Sequence, residues 1–284
     1  MIFDTHVHYN SDRFSEDRME VLGDIRSAGV DRVTEIGIDL KDTDAMLAMV
    51  EEINRANANM QPEPVYPRMY AAIGVHPEYV YTDVDGSAVP HSVPERIRGI
   101  CSRKNPFIPI VAIGETGLDY HERKRLRSGN QADAVIQKEW FDVQLGLCEE
   151  LNLPVVIHSR DACKDTLDIV KSHPTVNGVV HCFSYTKETA REYIKRGYFL
   201  GIGGALLREN VNKVAEVVKD IPLEYLVTET DSPYMTPAIL GRSRNTSATL
   251  PYVVEAIAKM KGIAPEITEE KLRQNADRLY RLEP

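Results

Sequence analysis

A single (β/α)8 barrel is the fold this 284-residue chain predicts, and three observations carry the prediction. Eight short apolar runs alternate with longer segments of helical period. The length suits a closed α/β barrel, typically ~250 residues. Metal-type side chains recur where the runs end. The runs cover residues 2–8, 32–38, 69–76, 110–118, 154–159, 178–183, 198–203 and 226–230. Strand alternating with helix favours a parallel sheet with helices outside it. The clearest helix is 137–151, where Phe141, Leu145, Cys148 and Leu151 recur at i, i+4, i+7 and i+10, and a final helix over 269–281 closes the chain. An open doubly wound sheet is the alternative, but Gly201-Ile202-Gly203-Gly204 lacks the Gly-x-Gly-x-x-Gly spacing that such a fold uses for a dinucleotide. The Pro-bearing stretches 60–67 and 84–94 read as surface connections, so residues 1–284 are taken as one domain.

Composition narrows the class. Hydrophobic content of 43% and charged content of 27% are ordinary for a chain with a substantial core. The net charge of -9 argues against holding duplex nucleic acid on a broad basic face. It leaves room for a nuclease, because carboxylates that bind divalent ions count as negative in the formal sum. Acidic and His residues stand where an export signal needs a basic start and an apolar run, and no stretch approaches ~18 uninterrupted apolar residues. Four cysteines form no Cys-x-x-Cys pair. A cytoplasmic protein with reduced thiols and no membrane contact is expected, and the Asn245-Thr246-Ser247 sequon is then idle.

The chemistry gathers at the strand ends. In such a barrel the C-terminal rim carries the active site. The first run ends in His6-Val7-His8, the fourth in Glu115 through Asp119, the fifth in His158-Ser159-Arg160, the sixth in His181-Cys182-Phe183 and the eighth in Glu229-Thr230-Asp231. Strand alternation turns His6 and His8 to one face. Each residue has a plainer reading: His158 as a core histidine, Glu115 as an ion-paired rim residue, Asp231 as a turn former. Six at once are costly to cluster without a cation. The set His6, His8, Glu115, His158, His181 and Asp231 exceeds one tetrahedral ion, so two divalent ions are expected. The division expected puts His6, His8 and Asp231 on one ion and His158 and His181 on the other, with Glu115 bridging. Imidazole suits Zn²⁺ or Mn²⁺, whereas Mg²⁺ prefers oxygen. Glu229 reads either as a support or extra ligand or as a rim carboxylate paired with Arg.

At these residues the chain resembles the TatD family of metal-dependent hydrolases, within the amidohydrolase-type barrels. The matching phrases are Asp4-Thr5-His6-Val7-His8, Gly74-Val75-His76-Pro77, Ile113 through Tyr120, Gln137 through Gln144, Pro154 through Arg160, His181-Cys182-Phe183-Ser184, Tyr198 through Gly204 and Thr228 through Tyr234. The resemblance implies two divalent ions on the same six residues and deoxyribonuclease activity, often from a 3′ end, with Asp231 taking the proton of the attacking water. It also sets His76 and Arg160 near the site, as substrate contacts, the plainer reading of His76 being a core or turn histidine before proline. The segment 121–136 is longer than expected, Tyr185 stands where glycine is common, and Asn245-Thr246-Ser247 replaces a frequent Asn-Glu-Pro.

A polyanion still needs cations. Arg123, Lys124, Arg125 and Arg127 after the fourth strand, with Arg242 and Arg244 after the eighth, are read as a phosphate clamp, the plainer reading being a solvated charge run. The expected function is a metal-dependent hydrolase of phosphodiesters, acting on single-stranded DNA or a similar substrate, as a monomer without an obligate partner. The alternatives are a hydrolase of a small ester, lactone or amide, and a metal-bound binding protein without turnover.

Overall fold

The computed structural model describes residues 1–60, 63–82, 86–121, 134–208, 212–237, 241 and 244–282. All eight runs form strands: β1 Ile2–Val7, β2 Val30–Ile36, β3 Arg68–Ile73, β4 Ile110–Asp119, β5 Val155–Arg160, β6 Gly178–Val180, β7 Phe199–Ile202 and β8 Leu226–Thr228. They lie in one parallel sheet in sequence order. Its two edges meet just past the strands. His8 N donates to Ser232 O at 2.7 Å and Asp231 N to His6 O at 3.0 Å, while Val7 bridges Ser232 in parallel. The barrel therefore closes through the very residues predicted to bind metal.

The helices among the described residues are α1 Arg18–Ser27, α2 Thr43–Asn59, α3 Ser92–Cys101, α4 Ala134–Leu151, α5 Cys163–Ser172, α6 Lys187–Ile194, α7 Asn212–Asp220, α8 Leu250–Lys261 and α9 Pro265–Leu279. Two cores follow from strand alternation. The larger lies between sheet and helices and contains Val33, Ile73, Phe141, Leu145 and Leu200. The smaller fills the barrel with Phe3, Ile36, Tyr70, Val111, Val156, Val179 and Val227. The last helix starts earlier than expected, at Pro265, because a first-turn proline lacks only an N–H that the helix leaves unused there. Ala276, Leu279 and Tyr280 pack into the barrel core, and Tyr280 OH donates to Thr5 O at 2.7 Å. Helix α9 thus closes the floor, leaving the opposite rim for chemistry.

Two of the departures from even pairing fall next to the predicted donors. Asp4 pairs with Val33 but Val7 with Glu35, so β1 carries one extra residue around Thr5–His6. Ile113 pairs with Val155 but Thr116 with Ile157, so β4 carries one around Gly114–Glu115. Such bulges bend a strand and re-aim its side chains. Strands β6 and β8 end sooner than predicted, at Val180 and Thr228. Beyond them Cys182 and Asp231 take left-handed backbone, with φ 44° and 57°, and cannot continue a ladder.

Candidate metal centre

The six predicted donors converge on the rim. His6 Nε2 lies 3.2 Å from His8 Nε2, 3.4 Å from Glu115 Oε2 and 3.8 Å from Asp231 Oδ1. His8 Nε2 is 3.4 Å from Asp231 Oδ1. His181 Nε2 is 3.8 Å from Asp231 Oδ2 and 4.0 Å from Glu115 Oε1, and its ring stacks on His6 at 3.6 Å. Donor groups close enough to share one ion include His6, His8 and Glu115; His6, His181 and Asp231; and His76, Glu115 and His158. The division expected from sequence follows these distances only in part. His181 sits with His6 and Asp231, because the ends of β1, β6 and β8 converge, and His158 sits with Glu115 and His76.

Neighbours fix which ring nitrogens face the centre. His8 Nδ1 lies 3.0 Å from Ile36 O, a carbonyl that only accepts, so Nδ1–H donates and Nε2 turns a lone pair inward. His181 Nδ1 lies 3.0 Å from Glu229 Oε1, an ion-pair distance, while its Nε2 faces Asp231 and Glu115. His76 is the opposite case. Its Nδ1 accepts from Glu78 N at 3.2 Å, so the neutral ring carries its proton on Nε2, 3.9 Å from Glu115 Oε1. Burial, then the neighbouring His158, pushes its pKa down to about 3, so it stays neutral and offers an N–H. This donor set fits divalent ions: buried imidazole nitrogens and carboxylate oxygens gathered within one ion's reach are costly to keep together without a cation.

Glu229 is fully buried and, among the described residues, pairs with no Arg; it stands behind His181 and accepts from Cys182 N at 2.5 Å. Its space exists because residue 201 is glycine: a Cβ there would lie 2.1 Å from Glu229 Oε2. Glu229 and Asp231 share a strand parity in sequence, yet they reach the same imidazole from opposite sides, one at Nδ1 and the other at Nε2.

The β4–β5 side is knit by charge. His158 contacts Glu115 Oε1 through Nδ1 at 2.9 Å and Asp119 Oδ2 through Nε2 at 3.1 Å. Burial alone would lower its pKa, but those two carboxylates raise it to about 9. Burial likewise opposes the Glu115 carboxylate, yet His6, His76 and His158 hold it well below the usual range. Asp231 is depressed in the same way, burial being outweighed by His181, His8 and His6. Both carboxylates are ionised at neutral pH. Helix α4 sets this side in place with two buried amides. Gln137 holds both backbone groups of Asp119, at 3.0 and 3.2 Å, and Gln144 holds both of Val75, at 2.8 and 3.1 Å, and donates to Thr116 Oγ1 at 2.6 Å. Sequence reading quoted Asp119, Gln137 and Gln144 within its matching phrases but gave them no role. Two glutamines on the otherwise apolar buried face of α4 were the available signal.

The β1–β8 side rests on Asp4. Its Oδ1 accepts from His6 N at 3.2 Å and Thr230 N at 3.0 Å, and its Oδ2 from Thr230 Oγ1 and Ser247 Oγ, each at 2.6 Å. Burial pushes its pKa up to about 7 against those bonds. Ser247 also contacts the buried Tyr9 hydroxyl at 2.8 Å.

The expected substrate contacts divide. Arg160 is exposed at the end of β5, beside His158. The structure gives Arg244 a partner within the chain: its guanidinium pairs with both oxygens of Asp17, at 2.9 and 2.5 Å, and lies over the Phe14 ring at 4.6 Å. Asp17, at the start of α1, lies 227 positions from Arg244, so sequence order did not indicate this bidentate pair. Arg123, Lys124, Arg125, Arg127 and Arg242 lie outside the described residues.

Fold and donor set define a barrel that gathers metal-type side chains on its catalytic rim. The family model for TatD related DNase matches residues 3–281. The "Uncharacterized metal-dependent hydrolase YabD" of Bacillus subtilis is 35% identical over 284 residues, covering 99% of this chain and 100% of that protein. The "3'-5' ssDNA/RNA exonuclease TatD" of Cronobacter sakazakii is 30% identical over 286 residues, covering 98% and 97%. Among solved structures, YjjV, a TatD homolog from Escherichia coli K12, superposes with a TM-score of 0.80 at 25% identity, over 99% of this chain and 98% of that one. The chain belongs to the TatD family and is a metal-dependent hydrolase. Among the described residues no helix is long and apolar enough to cross a membrane.

Proposed function

We propose that this protein is a 3′–5′ exonuclease of single-stranded DNA or RNA that uses two divalent ions, held by His6, His8, Glu115, His158, His181 and Asp231 with Glu115 shared between them. The observation that carries the reading is the convergence of these donors within about one ion's reach of each other, with the His8 and His181 Nε2 atoms facing the carboxylates. The activity is suggested by the name of the Cronobacter relative, similar over nearly the whole of both chains. Bound divalent ions lower the pKa of water to near neutrality and offset charge on phosphoryl oxygens. The chain supplies the rest. Asp231, ionised and aimed at the centre, takes the proton of the attacking water and passes it to the leaving oxygen. His76 offers its Nε2–H to a phosphoryl oxygen. Arg160, at the open edge beside His158, meets the flanking phosphate.

Four free cysteines support a cytoplasmic setting, and the monomer expected from sequence is checked by gel filtration. Metal analysis of protein purified without added ions comes first. Labelled single-stranded oligonucleotides are then compared with lactone and acyl esters in Mg²⁺, Mn²⁺ and Zn²⁺. Shortening of the oligonucleotide from its 3′ end is expected. Turnover of the small esters alone overturns the nuclease reading.

A further inference from the structure

Two tyrosines flank the donor set in the same manner. Tyr79 follows the His76-Pro77-Glu78 turn and Tyr234 the Asp231-Ser232-Pro233 turn. Tyr79 N donates to His76 O at 2.8 Å and Tyr234 N to Asp231 O at 2.7 Å, so each is fixed by a tight turn three residues after a residue of the centre. The Tyr79 ring meets His76 edge-on, with centroids 6.4 Å apart and planes at 68°, and Tyr234 meets His8 at 6.1 Å and 67°. Their rings remain open to solvent, at 42% and 49% exposure. One exposed tyrosine is ordinary. Two placed by matching turns against two histidines of one centre form a built mouth.

Charge says what the mouth accepts. Burial raises the Tyr79 hydroxyl pKa, and Glu78, Tyr234, Asp39 and Asp42 raise it further, so the surroundings are acidic. Carboxylates on this edge repel phosphate and favour an uncharged, flat group. The Arg13 guanidinium lies 5.9 Å from the Tyr234 ring centroid and brings a cation to the far edge.

We infer that Tyr79 and Tyr234 form a stacking subsite that receives a nucleobase at the end of a single strand and so sets the scissile phosphodiester over the donor set. This rests on the nuclease reading and adds its specificity element. Aromatic faces hold any base, so the subsite gives grip on a terminal base without sequence preference.

The test compares a single-stranded oligonucleotide with partners carrying an abasic sugar at the terminal or penultimate 3′ position. Wild-type enzyme is expected to favour the base-bearing end by about 5- to 150-fold in kcat/KM, mostly through KM. Tyr79→Ala and Tyr234→Ala each shrink that ratio, the double variant brings it near one, and the Phe variants restore it. Binding by fluorescence anisotropy, with the same substitutions made in Asp231→Asn protein, reports the same ratios without turnover. A wild-type ratio near one, or an undiminished ratio in the double Ala variant, overturns the subsite while leaving the nuclease reading intact. Failure of wild-type enzyme to cut any oligonucleotide overturns that reading and the subsite with it.

Discussion

The two sides of the centre are held by different forces. On the β1–β8 side, His6, His8 and Asp231 are positioned by backbone and hydroxyl groups. Asp4 ties His6 N to Thr230, Ile36 O fixes the His8 ring, and two cross-strand bonds lock the rim. On the β4–β5 side, Glu115, His158 and Asp119 hold one another largely by charge. The first arrangement rests on hydrogen bonds that no ion has to complete, and the second on charges that a cation beside Glu115 would disturb, so we expect a rigid half and a half that responds to metal.

The largest expected effect tests the rigid half. Asp231→Asn should lower kcat by roughly 10²- to 10⁴-fold while the protein keeps its ions by elemental analysis. Equal turnover removes its role as base. Glu115→Gln addresses the responsive half. It should cut the ions retained after gel filtration and, by removing one carboxylate partner, lower the His158 pKa read by NMR titration; unchanged metal content refutes a shared ligand. Glu229→Gln should weaken ion affinity by about 10- to 100-fold. Gly201→Ala should act in the same direction, since the added Cβ displaces the Glu229 carboxylate. Gln144→Leu strips partners from both backbone groups of Val75 and should cost about 1–3 kcal/mol per group left unpaired, read as a lower urea midpoint.

The smallest effect is a pH slope. Glu35 accepts from Tyr9 N and Asn10 N, both at 2.9 Å, just after His8, and burial first of all raises its pKa from 4.5 to about 7. The folded protein therefore holds a proton that the unfolded chain has released above about pH 4.5. This contribution is greatest below that pH and is lost as pH rises through about 7. Glu35→Gln removes it, so the variant's urea midpoint should vary less between pH 5 and 8, though it starts lower because the amide turns an NH₂ toward one N–H donor. An identical slope in both proteins assigns the dependence elsewhere.

Much of this was legible along the chain. Apolar runs gave eight strands, and their ends gave the six donors the structure brings together. His6 and His8 share a face as alternation requires. Residues that depend on a distant partner were not legible. Nothing near Arg244 in sequence announces Asp17, and nothing near Gln144 announces Val75.

Periodicity and residue type determined the barrel and which side chains stand at its rim, because both are local properties of a chain. Only the folded molecule decided how they are aimed. One extra residue in β1 and one in β4 turn His6 and Glu115, and the pairing of His6 with Asp231, 225 positions apart in sequence, closes the ring of donors. Register and the carbonyl behind His8 and the carboxylate behind His181 are set by strands that meet across the sheet, so no local pattern encodes them.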